Sequence, residues 1–178
     1  MENFDIEKLN RENFNALKNA LAMPGKIVKI KPFFESAFLA VANVLLYPEV
    51  SFFYNGNEDF NLVEAITNPN KTSCKTADYI FSDEIDSVLL DKAKRGDYLN
   101  PDFSAALVFK CKNFNETPVV LSGPGIKEKK KTCLPCDKEF IKRLMKKNKN
   151  FPLGVEVFFI NNMNEMIALS RTTKVEVF

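Results

Sequence analysis

"GVEVFFINNMNEMIALS", Gly154 to Ser170, decides the fold. Two apolar runs, VEVFFI and MIALS, flank the polar NNMN. Short runs rich in Val, Ile and Phe read as strands. NNMN is far too short for the crossover that two neighbouring parallel strands require. The pair is therefore read as an antiparallel hairpin, and a purely parallel sheet is not expected.

Upstream the pattern changes. DKEFIKRLMKKNK sets Phe140, Leu144 and the Ile141/Met145 pair on one side of a helix with a basic outer face. SAALVFKC and PVVLS read as strands joined by the polar KNFNET, with GPGI, Gly123 to Ile126, as a loop. DYIF is a strand, and Ser82 is positioned to cap DEIDSVLLDKAK, a helix that Gly96 closes. VSFFY is a strand followed by an NGN turn, and Asn57 is positioned to cap EDFNLVEAI. TNPNKTSCK reads as a loop. Ser36 caps AFLAVANVLLY, which is apolar on nearly every face, so helix 36–47 is expected deep in the core or at a subunit interface. Phe14, Leu17 and Leu21 mark an amphipathic helix over 10–22 that MPG ends, before the short strand KIVKI. KVEV closes the chain as a last short strand. Helices alternating with strands, then strand pairs, predict an α/β fold: a three-layer αβα arrangement around a mixed sheet, as one domain over 1–178.

Composition narrows the chemistry. The chain holds no histidine. A Ser-His-Asp triad, a Cys-His pair and a His-containing zinc site are therefore excluded. Cys74, Cys111, Cys133 and Cys136 are too few for a disulfide scaffold. No apolar run reaches the roughly 18 residues of a membrane span, and MENFDIEKLN does not read as a secretory leader, so a cytoplasmic protein is expected. Residues 1–100 carry 11 Lys+Arg against 15 Asp+Glu, while residues 101–178 carry 14 against 8. Much of the excess lies in Lys127 to Lys149. That run lacks arginine–aromatic interleaving and matches no nucleic-acid module, so a solvated face is the expectation.

Three motifs could carry a site. Cys133-Leu134-Pro135-Cys136 precedes a helix and would suit a reactive thiol, but lacks the second pair a zinc site needs. Gly123 and Gly125 in LSGPGI could aim backbone N–H groups at an anion, or simply make a turn. Arg171, Thr172 and Thr173 gather a guanidinium and two hydroxyls, which suits a phosphate or a carboxylate. Surface arginine and strand threonines explain the same triplet equally well.

FNALKNALAMPGKIV, LSGPGI, FPLGVEVFFI and IALSRTTKVEV together resemble PhnH, a subunit of the bacterial carbon–phosphorus lyase system for phosphonate breakdown. The likeness is close over the C-terminal third and in outline through the middle. Ser170 stands where that family usually has proline before Arg-Thr-Thr. VLLYPEV replaces a leucine-rich helix ending in aspartate, and AITNPN lacks the histidine of a His-Thr segment. The resemblance implies a pared-down pyridoxal-phosphate-dependent transferase fold without the cofactor. It implies a homodimer that joins PhnG, PhnI and PhnJ in a core complex, with no nucleic acid and no membrane. In that complex PhnI cleaves the nucleoside and PhnJ, an iron–sulfur radical enzyme, breaks the C–P bond. PhnG, PhnH, PhnI and PhnL make a ribose 1-phosphonate 5-triphosphate from ATP and a phosphonate. No catalytic residue, metal site or cofactor is therefore expected on this chain. Arg171, Thr172, Thr173, Gly123 and Gly125 are expected to meet a phosphate-bearing ligand or a partner subunit. The alternative is a stand-alone phosphate-, phosphonate- or nucleotide-binding protein built on GPGI and RTT.

Overall fold

Successive strand side chains point to opposite faces of a sheet, and here both faces of the central strands are apolar. The structure, a computed structural model, describes residues 5–178. Residues 1–4, part of the stretch read above as no leader, lie outside the described residues. In chain order the elements begin with α1 (Ile6–Ala22), β1 (Val28–Lys29), α2 (Ala37–Leu45), β2 (Ser51–Asn55) and α3 (Asn61–Thr67). Next come β3 (Asn70–Lys71), β4 (Tyr79–Ser82), α4 (Ser87–Lys92), β5 (Ala106–Cys111) and β6 (Thr117–Ser122). The last are β7 (Lys130–Leu134), α5 (Lys138–Lys147), β8 (Glu156–Asn161), β9 (Glu165–Leu169) and β10 (Lys174–Val177).

Seven strands form one sheet in the order β1-β9-β8-β5-β4-β2-β3. The run from β3 to β8 is parallel, with Phe53 opposite Ile80, Ile80 opposite Leu107 and Leu107 opposite Val157. β9 returns antiparallel on β8, with Phe158 opposite Ala168, and β1 pairs antiparallel on β9. The sheet is mixed, as the hairpin requires. Asn161 makes the turn: its Oδ1 accepts from the N–H groups of Met163 at 2.9 Å and Glu165 at 3.0 Å. Asn164 takes φ 58°, a conformation asparagine tolerates better than most residues.

Alternation splits the core in two. Phe52, Phe81, Val108, Phe158 and Ala168 face α1, α2 and α3. Ile80, Leu107, Phe109, Phe159 and Ile167 face the other way, onto α4, α5 and a three-stranded antiparallel sheet ordered β10-β6-β7. The second outer layer is thus part helix and part sheet, a departure from the expected all-helical layer. The reason is β7: Lys130 to Leu134 lies inside the basic run, whose charge masks the strand, yet it pairs with β6 over five residues. KVEV follows β9 directly but leaves the main sheet to pair with β6.

Helix 36–47 was expected in the core or at an interface, and the core takes it. Ser36 caps α2 by accepting from the Leu39 N–H at 3.1 Å, and Ala37 to Asn43 are all buried within the chain. α1 starts earlier than its apolar spacing suggested, because Asp5 caps it. Its buried stripe is Leu9, Asn13, Leu17 and Ala20, whereas Phe14 is exposed. Asn13 earns its buried place by bonding both backbone groups of Lys31 at 2.9 Å. Neither Asn57 nor Ser82 caps a helix. Asp86 caps α4, which ends at Lys92 before Gly96, and α3 has no side-chain cap. TNPNKTSCK contributes the edge strand β3.

Phe81 sits edge-on to Phe38 and Phe60 at 5.6 and 5.5 Å between ring centres. Phe81→Ala is expected to destabilise the fold by about 3–5 kcal/mol. A urea denaturation curve whose midpoint is unmoved would remove this ring cluster from the list of supports.

Candidate functional site

Ser170 to Thr173 form a tight turn, closed by the Thr173 N–H donating to the Ser170 carbonyl at 3.0 Å. The turn ends β9 and redirects the chain into the small sheet. Ser170 Oγ lies 3.0 Å from Thr172 Oγ1 and 2.9 Å from Thr173 Oγ1, so the serine hydroxyl bonds both threonine hydroxyls. Thr173 is buried. The Arg171 guanidinium is occupied within the chain. Its Nη1 donates to the carbonyls of Pro101 at 2.8 Å and Pro152 at 3.2 Å, and Nη2 to Ser104 Oγ at 2.8 Å. Its Nε stands 3.7 Å from Glu156 Oε1. Burial pushes the Glu156 carboxyl above its ordinary range, and Arg171 pulls it part of the way back.

The two glycines lie at close backbone approaches. A Cβ on Gly123 would stand 2.8 Å from the Thr172 carbonyl oxygen, and one on Gly125 only 1.9 Å from that of Ala22. Both residues take positive φ, 123° and 80°, where other side chains are strained. Gly25 of MPG donates its N–H to Ala168 at 3.2 Å, and Gly154 of FPLG lies against Arg171 Cβ. The four stretches MPG, GPGI, FPLG and SRTT therefore pack into one joint. They bring backbone against backbone rather than around a shared opening.

Surface crevices flank this joint separately. Arg171 lines one of about 340 Å³ at the amino ends of β4, β5 and β8, with Asp78, Asp102 and Glu156. Lys94 pairs with Asp78 at 2.5 Å. Glu156 stands beside the guanidinium and Asp78 and Asp102 share its crevice, which disfavours a phosphate. Gly125 lines another, of about 610 Å³, with Lys26, Lys127, Lys129, Lys130 and Lys131 against the single acid Glu128. Burial, with Lys26 nearby, pulls the Lys130 ammonium below its ordinary range.

A third cluster escaped the sequence reading. β2 is followed by α3 on one face of the sheet and β4 by α4 on the other, so their carboxyl ends meet at a topological switch point. There Lys110 pairs with Glu58 and, at 3.0 Å, with Asp83. Its ammonium also lies 4.7 Å from the centre of the Phe38 ring. Asp83 accepts from Tyr54 Oη at 3.0 Å and from the Asn57 N–H at 2.8 Å. Burial alone would raise the Asp83 carboxyl, but those two donors and Lys110 outweigh it and hold it below the usual carboxylate range. Burial pushes the Tyr54 phenol up, so it stays a donor. The group holds fixed charges and pins the loop after β2 to the ends of β4 and β5. Nothing in the sequence spacing announces it, because its members come from three segments that only strand order brings together.

Cys133 lies in β7 and Cys136 is buried ahead of α5. All four cysteines are free thiols. Burial, followed by Glu116 and Asp137, pushes the Cys136 thiol up, opposite to an activated thiolate. Burial alone pushes Cys111 up to about 12. Among the described residues no three Cys, Asp or Glu side chains converge as a metal site would require, and no helix is long and apolar enough to cross a membrane.

Comparison with known proteins gives two findings. Residues 5–176 match the family described as bacterial phosphonate metabolism protein (PhnH). HtxG of Stutzerimonas stutzeri, provisionally named a C-P lyase subunit protein, is 26% identical over 171 residues, covering 92% of this chain and 84% of that protein.

Arg171→Ala would leave the half-buried Glu156 without its cation. Hydrogen bonds to charged groups contribute about 1.5–3 kcal/mol, which sets the expected loss of stability at pH 7. Glu156 then titrates higher still in the fold than in the unfolded chain. Protonation favours the fold in that case, so the deficit shrinks as pH falls through the raised folded value toward the ordinary carboxyl range. Urea midpoints of wild type and variant between pH 7 and 5 check this, and a deficit independent of pH would rule the Glu156 coupling out.

Proposed function

Because the chain belongs to the PhnH family of bacterial phosphonate metabolism proteins, we propose that it acts as a non-catalytic subunit of a carbon–phosphorus lyase core complex. In this reading it works as one domain and as a homodimer alongside PhnG, PhnI and PhnJ. Its presence lets the complex convert ATP and a phosphonate into the ribose 1-phosphonate 5-triphosphate from which the C–P bond is later broken. The family match over residues 5–176 is the observation that carries the reading. The occupation of Arg171 within the chain supports it, since that guanidinium organises loops rather than awaiting a substrate. A relation to pared-down pyridoxal-phosphate-dependent transferases belongs to the same proposal. It draws support from the parallel strands covered on both faces.

Size-exclusion chromatography with light scattering tests the proposal. The chain alone should run as a dimer, and co-expressed with PhnG, PhnI and PhnJ from its own source it should elute in one stoichiometric particle. A chain that ignores those subunits would sink the reading.

One observation favours the alternative of an anion-binding protein. Lys26 and Lys127 to Lys131 crowd the cleft beside Gly125, and only Lys129 has a carboxylate partner, Glu176 at 3.1 Å, among the described residues. In that reading Arg171 takes no part, since its nitrogens face the other crevice. Titration with inorganic tripolyphosphate followed by calorimetry decides it. The alternative requires saturable binding that weakens at least tenfold in Lys127→Ala/Lys130→Ala, and an unchanged weak response would dismiss it.

A further inference from the structure

Arg171 holds together two loops that carry exposed apolar side chains. Tyr98, Leu99 and Phe103 lie on the first, 68%, 91% and 61% exposed, and Phe151 on the second is 67% exposed. Single exposed apolar residues are ordinary. Four of them on two loops tied by one guanidinium call for a cause.

Both loops are built to keep their shape. In the first, Asp97 Oδ1 accepts from the N–H groups of Leu99 at 2.9 Å and Asn100 at 2.8 Å. A bridge between Arg95 and Ser104 closes its base. In the second, the Leu153 N–H donates to Asn150 at 2.9 Å, and the Gly154 N–H crosses to the Arg95 carbonyl at 3.0 Å. Arg171 Nη1 then bonds Pro101 of one loop and Pro152 of the other. Apolar groups held in place before a partner arrives lose little further conformational freedom on binding.

Charge says what kind of partner fits. Arg95, whose carbonyl holds the second loop, also lines a cleft of about 570 Å³ between α4 and α5. Lys142, Arg143, Lys146 and Lys147 line it too, against Asp91 and Glu139. Both acids are taken by Arg143, at 2.5 and 3.0 Å. On the α4–α5 side the apolar loops are therefore bordered by an excess of positive charge, and the acids of the first loop itself are Asp97, turned to its own backbone, and Asp102, which lines the crevice beside Arg171.

We propose that the face formed by Tyr98, Leu99, Phe103 and Phe151 docks a different subunit of the complex, one that offers an apolar recess edged with carboxylates. The proposal rests on the subunit reading above. The apolar side chains supply affinity, and Arg95, Lys142 and Lys146 supply orientation and speed of association. A second copy of this chain is the poorer occupant, because it brings the same basic border to the contact.

The test uses the full chain co-expressed with its native partner subunits and analysed by size-exclusion chromatography with light scattering. Leu99→Ser/Phe103→Ser and, separately, Lys142→Glu/Lys146→Glu are compared with wild type. Wild type is expected to co-elute with its partners. Each double variant is expected to bind at least tenfold more weakly while keeping the wild-type urea midpoint. The α5 pair, all solvent-facing charge, keeps the test decisive if the loop pair folds poorly. Co-elution of wild type and both variants alike would overturn the docking face and leave the subunit reading standing. Wild type failing to co-elute would end both. A wild-type dimer that becomes monomeric in Leu99→Ser/Phe103→Ser, with partner binding intact, would assign the face to a second copy and overturn the proposal.

Discussion

Everything in this molecule follows from central strands that are apolar on both faces. β4, β5 and β8 carry Ile80, Leu107 and Phe159 toward one side and Phe81, Val108 and Phe158 toward the other. Parallel strands of this kind must be covered twice. The first cover is supplied early in the chain by α1, α2 and α3. The second uses α4 and α5, and these leave room that β6, β7 and β10 fill with Val119, Leu121 and Leu134. The last strand must therefore leave the main sheet and reach the small one.

That exit explains why Arg171, Thr172 and Thr173 interrupt a good strand pattern. The chain turns at Ser170, and its hydroxyl bonds those of Thr172 and Thr173 inside the turn. Backbones approach so closely that only glycine fits at 123 and 125. Arg171 then reaches sideways to the loops at Pro101 and Pro152. The stretches that carry the family resemblance are thus parts of one mechanical joint between the two sheets and α1. A joint of this kind is compatible with a chain that shapes surfaces for other subunits.

Charge is sorted by position as well. Carboxylates share the crevice of Arg171 at the amino ends of the strands, Lys110 sits between two carboxylates at the carboxyl ends, and lysine excess is left on α5 and beside Gly125. Residues 101–178 supply most of that excess, so the asymmetry visible in composition has become two separate basic surfaces.

Local patterns determined much of this protein. The NNMN hairpin, the Ser36 cap, the all-apolar helix after it and the α5 stripe of Phe140, Ile141 and Leu144 were legible because each depends on residues within a few positions of one another. Absent histidine excluded whole reaction classes by chemistry alone. Tertiary structure decided the rest. β7 is a strand despite its lysines because β6 offers it a pairing edge, and Asn13 is buried because Lys31 presents bare backbone to it. The Lys110 cluster joins residues from three segments, and Arg171 meets acceptors nearly seventy positions upstream at Pro101 and Ser104. Such contacts depend on strand order and on which face each connection crosses, and neither is written in the spacing of a single segment.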